Sequence, residues 1–403
     1  MSFEDKKLSE MGVSFQSGFA FKSADFSLTG VPVIKIGNIQ NKVVSIDPKG
    51  NYIEPTTLTE KTKGYLLQNQ DVLIAMTGQG SVGRVGRLRL DAEQNALLNQ
   101  RVGRFICDEE TAHLPYIYYV LTSDVYQEYL FNTGVGSGQP NLSPQLILDT
   151  EIPCPPYKEQ KAIASVLSSL DDKIDLLHRQ NKILEAMAET LFRQWFIEEA
   201  KEDWEEKTIG DIFTIKGGGT PSTKEPSYWD GGIAWTSPRD LSTAKSLYMF
   251  STERTITELG LTKVSSGLLP VGTLLMSSRA PIGYLALTDI EVAVNQGYIA
   301  ILKHDLYSNE FMYLWCKANM ELIKNSGNGS VFQEISKASF RELPFVCPPE
   351  PLLKEFNGYC INWFSKIKLN AKQIQTLENL RDTLLPKLMS GEVRVQYQTE
   401  EVA

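Results

Sequence analysis

The segment Gly78-Gln-Gly-Ser-Val-Gly83 has the glycine spacing of a phosphate-binding loop. In dinucleotide-binding proteins such a loop follows a strand and opens a helix whose N-terminus holds the pyrophosphate. Here the next residues, Arg84 to Leu90, alternate as in a strand, and a later copy, Ser278 to Gly283, lacks the first two glycines. We therefore expect a hairpin loop in which backbone approaches a ligand closely. A dinucleotide-binding enzyme stays open as an alternative.

A second motif, Cys154-Pro-Pro-Tyr157, is similar to the tetrapeptide with which amino-methyltransferases hold an exocyclic amine. That tetrapeptide begins with Asn or Asp, whereas both copies here begin with cysteine, at Cys154 and Cys347. The five cysteines and three histidines are scattered along the chain, which argues against a zinc site and fits a reducing compartment. We therefore expect a chain without catalytic residues and without a metal site.

The remaining candidates for chemistry are polar side chains in loops. Arg, Lys, Asn and Gln recognise base edges, and Ser and Thr commonly bind phosphates. Each residue is equally compatible with an ordinary solvated loop. In the first half, the candidate DNA-binding residues are Lys35, Asn38, Gln40, Thr77, Gln79, Ser81, Arg84, Gln139 and Asn141. In the second half, they are Thr236, Ser237, Arg239, Asp240, Ser277, Ser278, Arg279, Ser330 and Gln333. Two further pairs, Asn99-Gln100 and Asn295-Gln296, fit either buried scaffold or base contacts.

The charge balance limits how such a chain binds DNA. The net charge is −9, with 13 basic and 17 acidic residues in 1–155 and 13 and 15 in 204–348. Because phosphate contacts need Lys and Arg, this chain alone would bind DNA weakly, and partners must supply part of the backbone contact. One local basic patch is visible in the sequence; it comprises Arg84, Arg87, Arg89, Arg101 and Arg104.

The candidates lie in two copies of one unit. Cys154-Pro-Pro recurs as Cys347-Pro-Pro at an offset of 193, and Asn99-Gln100 matches Asn295-Gln296 at 196. Upstream the offset grows to 202, where Leu66-Leu67 matches Leu268-Leu269. A drift confined to the gaps between landmarks indicates two divergent copies, and the period is too long for a solenoid. We expect two similar domains related by a pseudo-twofold axis.

A long helix is predicted after each domain. Apolar residues recur at alternating steps of four and three, which is the pattern of a coiled-coil seam. One polar residue, Asn181 or Asn370, lies in each seam. The alternative is that each helix packs only on its own domain. The first seam is Ile163, Leu167, Leu170, Ile174, Leu177, Asn181, Leu184, Ala188, Leu191 and Trp195. The second is Phe356, Cys360, Trp363, Ile367, Asn370, Ile374, Leu377, Arg381, Leu384 and Leu388.

Together these patterns predict an α+β protein. We expect two similar α/β domains, separated and joined by two long helices that form an antiparallel coiled coil. The expected boundaries are 1–155 for the first domain, 156–203 for the central helix, 204–348 for the second domain, 349–394 for the C-terminal helix and 395–403 for a tail. No run of 18 apolar residues and no apolar signal core after Met1 occur, so we expect a cytoplasmic protein without a membrane span.

Four segments carry a resemblance to a known family: Pro153-Cys-Pro-Pro-Tyr-Lys-Glu-Gln160, Gly232-Ile-Ala-Trp-Thr-Ser-Pro-Arg-Asp-Leu241, Val294-Asn-Gln296 and Leu384-Leu-Pro-Lys-Leu-Met-Ser-Gly-Glu392. With these segments and with its domain–helix order repeated twice, the chain resembles the specificity subunit of type I restriction-modification systems. The resemblance implies that the two domains are target-recognition domains. Two departures are visible: Pro351-Leu-Leu-Lys354 stands where the first copy has Tyr157-Lys-Glu-Gln160, and the first copy lacks the aromatic-Ser-Pro run.

The resemblance implies a non-catalytic subunit that reads a split sequence in double-stranded DNA, one half per domain. It implies two methyltransferase subunits docked on the helices, which carry S-adenosylmethionine and methylate adenine N6. It also implies restriction subunits that use ATP and Mg. We expect the aromatic group Phe192, Trp195 and Phe196 to bind the methyltransferase, because exposed apolar patches mark interfaces. The alternative function is a coiled-coil scaffold that reads no bases.

Overall fold

The computed structural model describes residues 3–91, 94–135, 140–328 and 333–396. These residues form two compact units. The first unit extends to Lys173 and resumes at Leu377, and the second runs from Ile174 to Thr376. Each unit combines a mixed domain with segments of two long helices that pack on it.

The described strands of the first unit form three sheets of two, four and six strands. Its strands are β1 (Asp5–Lys7), β2 (Val13–Ser17), β3 (Val31–Ile34), β4 (Ile39–Gln40), β5 (Val43–Val44), β6 (Tyr52–Ile53), β7 (Leu66–Leu67), β8 (Val72–Ala75), β9 (Val85–Leu88), β10 (Ala96–Leu98), β11 (Val102–Cys107) and β12 (Glu151–Pro153). Its helices are α1 (Glu60–Lys63), α2 (Leu114–Leu121), α3 (Asp124–Gly134), α4 (Pro144–Leu148) and the first part of α5 (Tyr157–Arg193).

The second unit repeats the same plan, and its described strands form sheets of two, three and five strands. Its strands are β13 (Glu205–Thr208), β14 (Ile215–Lys216), β15 (Trp229–Thr236), β16 (Tyr248–Met249), β17 (Arg254–Ile256), β18 (Leu274–Ser277), β19 (Leu285–Thr288), β20 (Ala293–Val294), β21 (Tyr298–Ile301) and β22 (Pro344–Cys347). Its helices are α6 (Ile209–Ile212), α7 (Pro238–Ser242), α8 (Glu258–Leu261), α9 (Asn309–Ala318), α10 (Met320–Asn325), α11 (Lys337–Arg341) and most of α12 (Glu350–Ser390).

The strand pairing is the same in both units. In the first, β8 pairs antiparallel with β9 and β11, and β9 pairs parallel with β5. In the second, β18 pairs antiparallel with β19 and β21, and β19 pairs parallel with β16. All four residues of β8 and of β18 are buried, as expected for a central strand that reads as a continuous apolar run. The predicted internal repeat is confirmed.

The two long helices pair in antiparallel fashion within each unit. In the second unit Asn370 Nδ2 donates to Asn181 Oδ1 at 2.9 Å, and in the first Arg381 pairs with Asp171 at 2.8 Å. Every predicted seam residue is buried or half-buried, which confirms the phase of the heptads. The first helix continues as a π-helical turn, Gln194–Glu198. None of the helices in the described residues is long and apolar enough to cross a membrane.

The helical segment that follows β11 consists of two helices, α2 and α3. The hydroxyls of Thr122 and Ser123 donate to the carbonyls of Tyr118 and Val120, which are among the last carbonyls of α2. Ser and Thr compete in this way with the helical hydrogen bonds, and the chain turns before α3 begins. The second unit has the same break at Asn319, between α9 and α10.

The prediction that the aromatic group Phe192, Trp195 and Phe196 is exposed is wrong for Phe192. Its side chain is only 2% exposed and packs edge-on against Phe311 and Phe356, in the core of the second unit. Trp195 and Phe196 are half-buried against the same Phe356. Phe192→Asp would therefore place an unpaired charge in this core. A loss of partner binding in that variant would reflect unfolding of the core as well as loss of a docking residue.

The predicted basic patch is also smaller than the sequence suggested. Arg87 is 6% exposed, lies 3.6 Å from Asp171 and stacks over the Tyr118 ring at 4.5 Å. Arg104 is paired with Asp71 at 3.2 Å, with its side chain 18% exposed. Both arginines therefore hold the fold together and are unavailable to phosphate.

Candidate nucleic-acid interface

One backbone position in each unit joins the candidate loops. In the first unit the Met76 N–H donates to the carbonyl of Arg101 at 2.9 Å, and the Leu142 N–H donates to the carbonyl of Met76 at 2.7 Å. Ser278 occupies the same position in the second unit. Its N–H donates to Gly297 at 2.8 Å, and its carbonyl accepts from Ile335 at 3.0 Å. In the first unit, the loop after β8, the turn before β11 and the segment before α4 therefore meet at one point. In the second unit, the same holds for the loop after β18, the turn before β21 and the segment before α11.

A second pair of matched hydrogen bonds holds the chain after β2 against the end of β10, and the chain after β14 against the end of β20. The Phe19 N–H donates to Leu98 O and the Gly219 N–H to Val294 O, each at 2.9 Å. Just before each donor is a glycine, Gly18 or Gly218. A Cβ at either position would overlap the carbonyl of the facing strand end, so glycine is required by close backbone approach.

In the first unit, the structure brings together the predicted residues that it describes, which are all but Gln139. Thr77, Gln79, Ser81 and Arg84 share the loop between β8 and β9, and Asn141 forms a β-bridge with Thr77. The segment that carries Lys35, Asn38 and Gln40 lies against this loop, because the Ile36 side chain contacts the position that a Cβ of Gly78 would take. The motif at Gly78 is thus a hairpin loop between antiparallel strands, as predicted, and opens no helix.

Several of these side chains have structural partners. Asn38 uses both ends of its amide, accepting from the Lys35 N–H at 2.8 Å and donating to the Ser45 carbonyl at 2.9 Å. Gln40 donates to the Gly37 carbonyl at 2.9 Å. Arg84, by contrast, is exposed, and within the described ranges its guanidinium has no protein partner.

Three predicted residues of the second unit are internal scaffold. Thr236 is fully buried and bonds to Asp240 Oδ2 and to the Tyr298 hydroxyl, both at 3.1 Å. Asp240 also accepts from the Ser237 N–H at 2.7 Å, which caps α7. Ser277 is fully buried, donates to the Pro281 carbonyl and accepts from two backbone N–H groups. Interior hydrogen bonding accounts for these side chains.

The other predicted residues of the second unit divide by exposure. Arg239 and Gln333 are exposed, whereas the Ser278 side chain is buried. Arg279 is partly exposed and lies 3.6 Å from Glu334, so its charge is partly compensated. Gln139 and Ser330 lie outside the described residues.

In each of the pairs Asn99-Gln100 and Asn295-Gln296, the asparagine is part of the backbone hydrogen-bond framework and the glutamine is exposed. The Asn99 N–H donates to Ile34 O and the Asn295 N–H to Thr236 O, while both glutamines are exposed. Sequence inspection missed Thr220, which bonds to both members of the second pair. A signal was available, because three glycines, 217 to 219, precede Thr220 and mark close backbone approach.

The chemistry offered by these loops is hydrogen bonding and charge. Burial raises the pKa of the Cys107 thiol to about 12, and it raises that of Cys316 still further. Both thiols stay protonated at neutral pH and are poor nucleophiles. Exposed Arg and Gln side chains on a fixed backbone are instead suited to recognition of polar edges.

Comparison with known proteins agrees with this arrangement. A family model described as the type I restriction modification DNA specificity domain matches residues 2–186 and again 201–379. The type I restriction enzyme MjaIX specificity subunit of Methanocaldococcus jannaschii is 28% identical over 80% of this chain and 78% of its own length. The HindI specificity subunit of Haemophilus influenzae is 20% identical over 72% and 80%, respectively.

A solved structure has the same fold. The S subunit of a type I restriction-modification system from M. genitalium aligns with a TM-score of 0.63 and 18% identity, covering 99% of this chain and 97% of that chain. Two consecutive matches to one domain model agree with the two units of like topology. The chain therefore belongs to the family of type I restriction-modification specificity subunits and carries two target-recognition domains.

Proposed function

We propose that the chain reads a bipartite sequence in double-stranded DNA, one half-site per domain. One observation carries the proposal: both units hold their loops on the same backbone framework, at Met76 and at Ser278, but present different side chains on it. Arg101 in the first unit corresponds to Gly297 in the second. Like frameworks with unlike side chains are what two modules need to dock similarly and read different bases.

The acidic balance of the chain supports a multisubunit complex. With a net charge of −9, the chain neutralises few phosphates by itself, and salt-sensitive affinity must come from subunits that add Lys and Arg. We propose that two methyltransferase subunits supply this contact, bind S-adenosylmethionine and methylate adenine N6. Restriction subunits that use ATP and Mg join this core. The chain itself contributes recognition and holds no cofactor.

Mapping of methylated adenines tests the proposal directly. The chain and its methyltransferase subunit are expressed in a host that lacks adenine-N6 methylation, and the modified positions in the genome are sequenced. We expect one motif made of two defined halves with a spacer of fixed length. A scaffold that reads no bases would leave methylation absent, or independent of this chain.

Arg84 is the exposed cation of the first unit best placed for DNA. Its backbone is held in place, since its N–H donates to Ser81 O at 3.1 Å and its carbonyl accepts from Ala75 at 2.9 Å, while the guanidinium has no partner among the residues that the structure describes. We expect Arg84→Ala to weaken duplex binding by the assembled complex by about 1–3 kcal/mol. Arg279→Ala should have a smaller effect, because Glu334 already compensates that charge.

Arg84→Lys separates the two kinds of contact. Lysine keeps the charge but loses the bidentate fork, so it restores binding if Arg84 touches a phosphate and fails if it pairs with a guanine. Binding is measured on duplexes that carry single-base changes, at several salt concentrations. Wild-type affinity in Arg84→Ala would remove this loop from the interface.

The exposed apolar face of α5 is our revised candidate for methyltransferase docking. Leu176, Ile183 and Met187 are 41%, 60% and 44% exposed, and their spacing of seven and four places them on one face. We expect Ile183→Asp with Met187→Asp to abolish co-purification of the methyltransferase subunit. The isolated chain should unfold at its normal temperature, because neither side chain is in the core.

Val125→Asp is the matched control for this double variant. Val125 is an apolar side chain on helix α3 and is 73% exposed. Val125→Asp makes the same change, from an exposed apolar residue to aspartate, outside the proposed docking face. The methyltransferase subunit should still co-purify with this variant. Equal retention of the methyltransferase by both variants would place the docking surface elsewhere.

A further inference from the structure

The exposed side chain of Gln296 is oriented by a short hydrogen-bond relay. The Gly297 N–H donates to Asn295 Oδ1 at 2.6 Å, and the Asn295 amide nitrogen donates to Thr220 Oγ1 at 2.7 Å. The Thr220 hydroxyl then donates to Gln296 Oε1 at 2.7 Å. Because a backbone N–H can only donate, the direction of each later bond in the relay follows from the first.

The relay leaves a defined pattern on the surface. Gln296 points its amide nitrogen, with two donors, away from Thr220, and its Oε1 keeps one lone pair free. A glutamine amide with an available donor and acceptor pairs with adenine N7 and N6 in the major groove. Because the relay already restricts the rotamers of Gln296, less side-chain freedom is lost on binding.

Gln296 lies where three loops of the second unit converge. The adjacent Gly297 carbonyl accepts from Ser278, next to Arg279. A Cβ on Gly297 would lie 3.0 Å from Pro238 Cγ and 3.5 Å from Arg279 Nε. The residue that follows Gln296 in the chain therefore lies close to the partly exposed Arg279.

The first unit has the glutamine but lacks the relay. The matched bonds of Phe19 to Leu98 and of Gly219 to Val294 align Thr220 with residue 20, which is alanine. No hydroxyl is present at Ala20 to bridge the Asn99 and Gln100 side chains. The two units therefore share a glutamine at one position, and the second orients it through a threonine.

We propose that Gln296 is a specificity-determining residue of the second half-site and recognises an adenine through its amide donor and carbonyl acceptor. This inference rests on the proposed function and adds the residue and the base. Thr220 and Asn295 are positioning residues that act through Gln296.

The test compares methylated motifs from cells that express the chain with its methyltransferase subunit. We expect Gln296→Ala to make one A·T position of the second half-site degenerate, with methylation of the original motif slowed at least about fivefold. Thr220→Val should weaken discrimination at that same position, and Thr220→Ser should restore it, because serine keeps the hydroxyl. Gln100→Ala should leave the second half-site unchanged.

The outcomes separate the two proposals. An unchanged motif and rate in Gln296→Ala, or an equal slowing at all sequences, would overturn base recognition by Gln296 while the bipartite reading stands. Discrimination that is lost in Thr220→Val but intact in Gln296→Ala would overturn the relay. Absence of any bipartite motif with the wild-type chain would overturn the proposed function itself.

Discussion

Replacement of residues 1–155 by the same region of a relative is expected to change one half of the methylated motif completely and leave the other half intact. The first domain contains its own loop framework, so under the proposed function its half-site is read by side chains that the exchange carries along. The junction belongs after Pro155, because β1 pairs with β12, where Asp5 faces Pro153. A junction at residue 150 would divide that pair of strands.

The donor domain must also fit the retained helix. Arg87 and Tyr119 contact Asp171 on α5, so the relative should carry arginine and tyrosine at the matching positions. The reciprocal exchange of residues 204–348 is the control and should change the other half-site. Methylated-adenine sequencing gives the result, and a change in both halves after either exchange would contradict modular recognition.

Substitution of Asp171 by alanine is expected to destabilise the first unit by about 3–5 kcal/mol. The Asp171 carboxylate lies 2.8 Å from Arg381 and 3.6 Å from Arg87, and it accepts from the Tyr119 hydroxyl at 2.7 Å. The Arg87 side chain is 7% exposed, so removal of the carboxylate leaves a buried cation uncompensated.

Asp382→Ala is the matched control, since Asp382 also pairs with Arg381, at 2.9 Å, but is 56% exposed. An exposed pair contributes about 0–1 kcal/mol, so this variant should unfold almost as the wild type does. Urea unfolding of the isolated chain, followed by circular dichroism, measures both. Equal midpoints for the two variants would show that the buried network is not a major source of stability.

The helices were predictable to a degree that the loops were not. A seam of alternating four- and three-residue steps leaves one phase for burial, so the packed positions from Ile163 to Trp195 follow from spacing alone. Likewise, a repeat with drifting offsets predicts matching strands, such as β8 and β18, without knowledge of their partners.

The residues of the candidate site were harder to predict, because the same polar residue types form hydrogen bonds in the protein interior and contacts at its surface. Thr236, Asp240 and Ser277 are polar and were expected in loops, yet they lie in β15, α7 and β18, and their oxygens bond within the protein. The spacing Ser237-x-x-Asp240 is a helix-capping signature that identifies Asp240 as scaffold in advance. Arg87 offers no such signal, because its partner Asp171 is 84 positions away in sequence.

The framework at Met76 and Ser278 also bears on how this protein changes over generations. Its bonds join main-chain donors and acceptors, which every residue except proline provides in full. A point mutation that alters a loop side chain therefore leaves the supporting bonds in place, and an exposed position such as Arg84 or Gln296 can be exchanged with little loss of stability. Under the proposed function, new target sequences are thus within reach of single substitutions, and the backbone framework can persist while the recognised bases diverge.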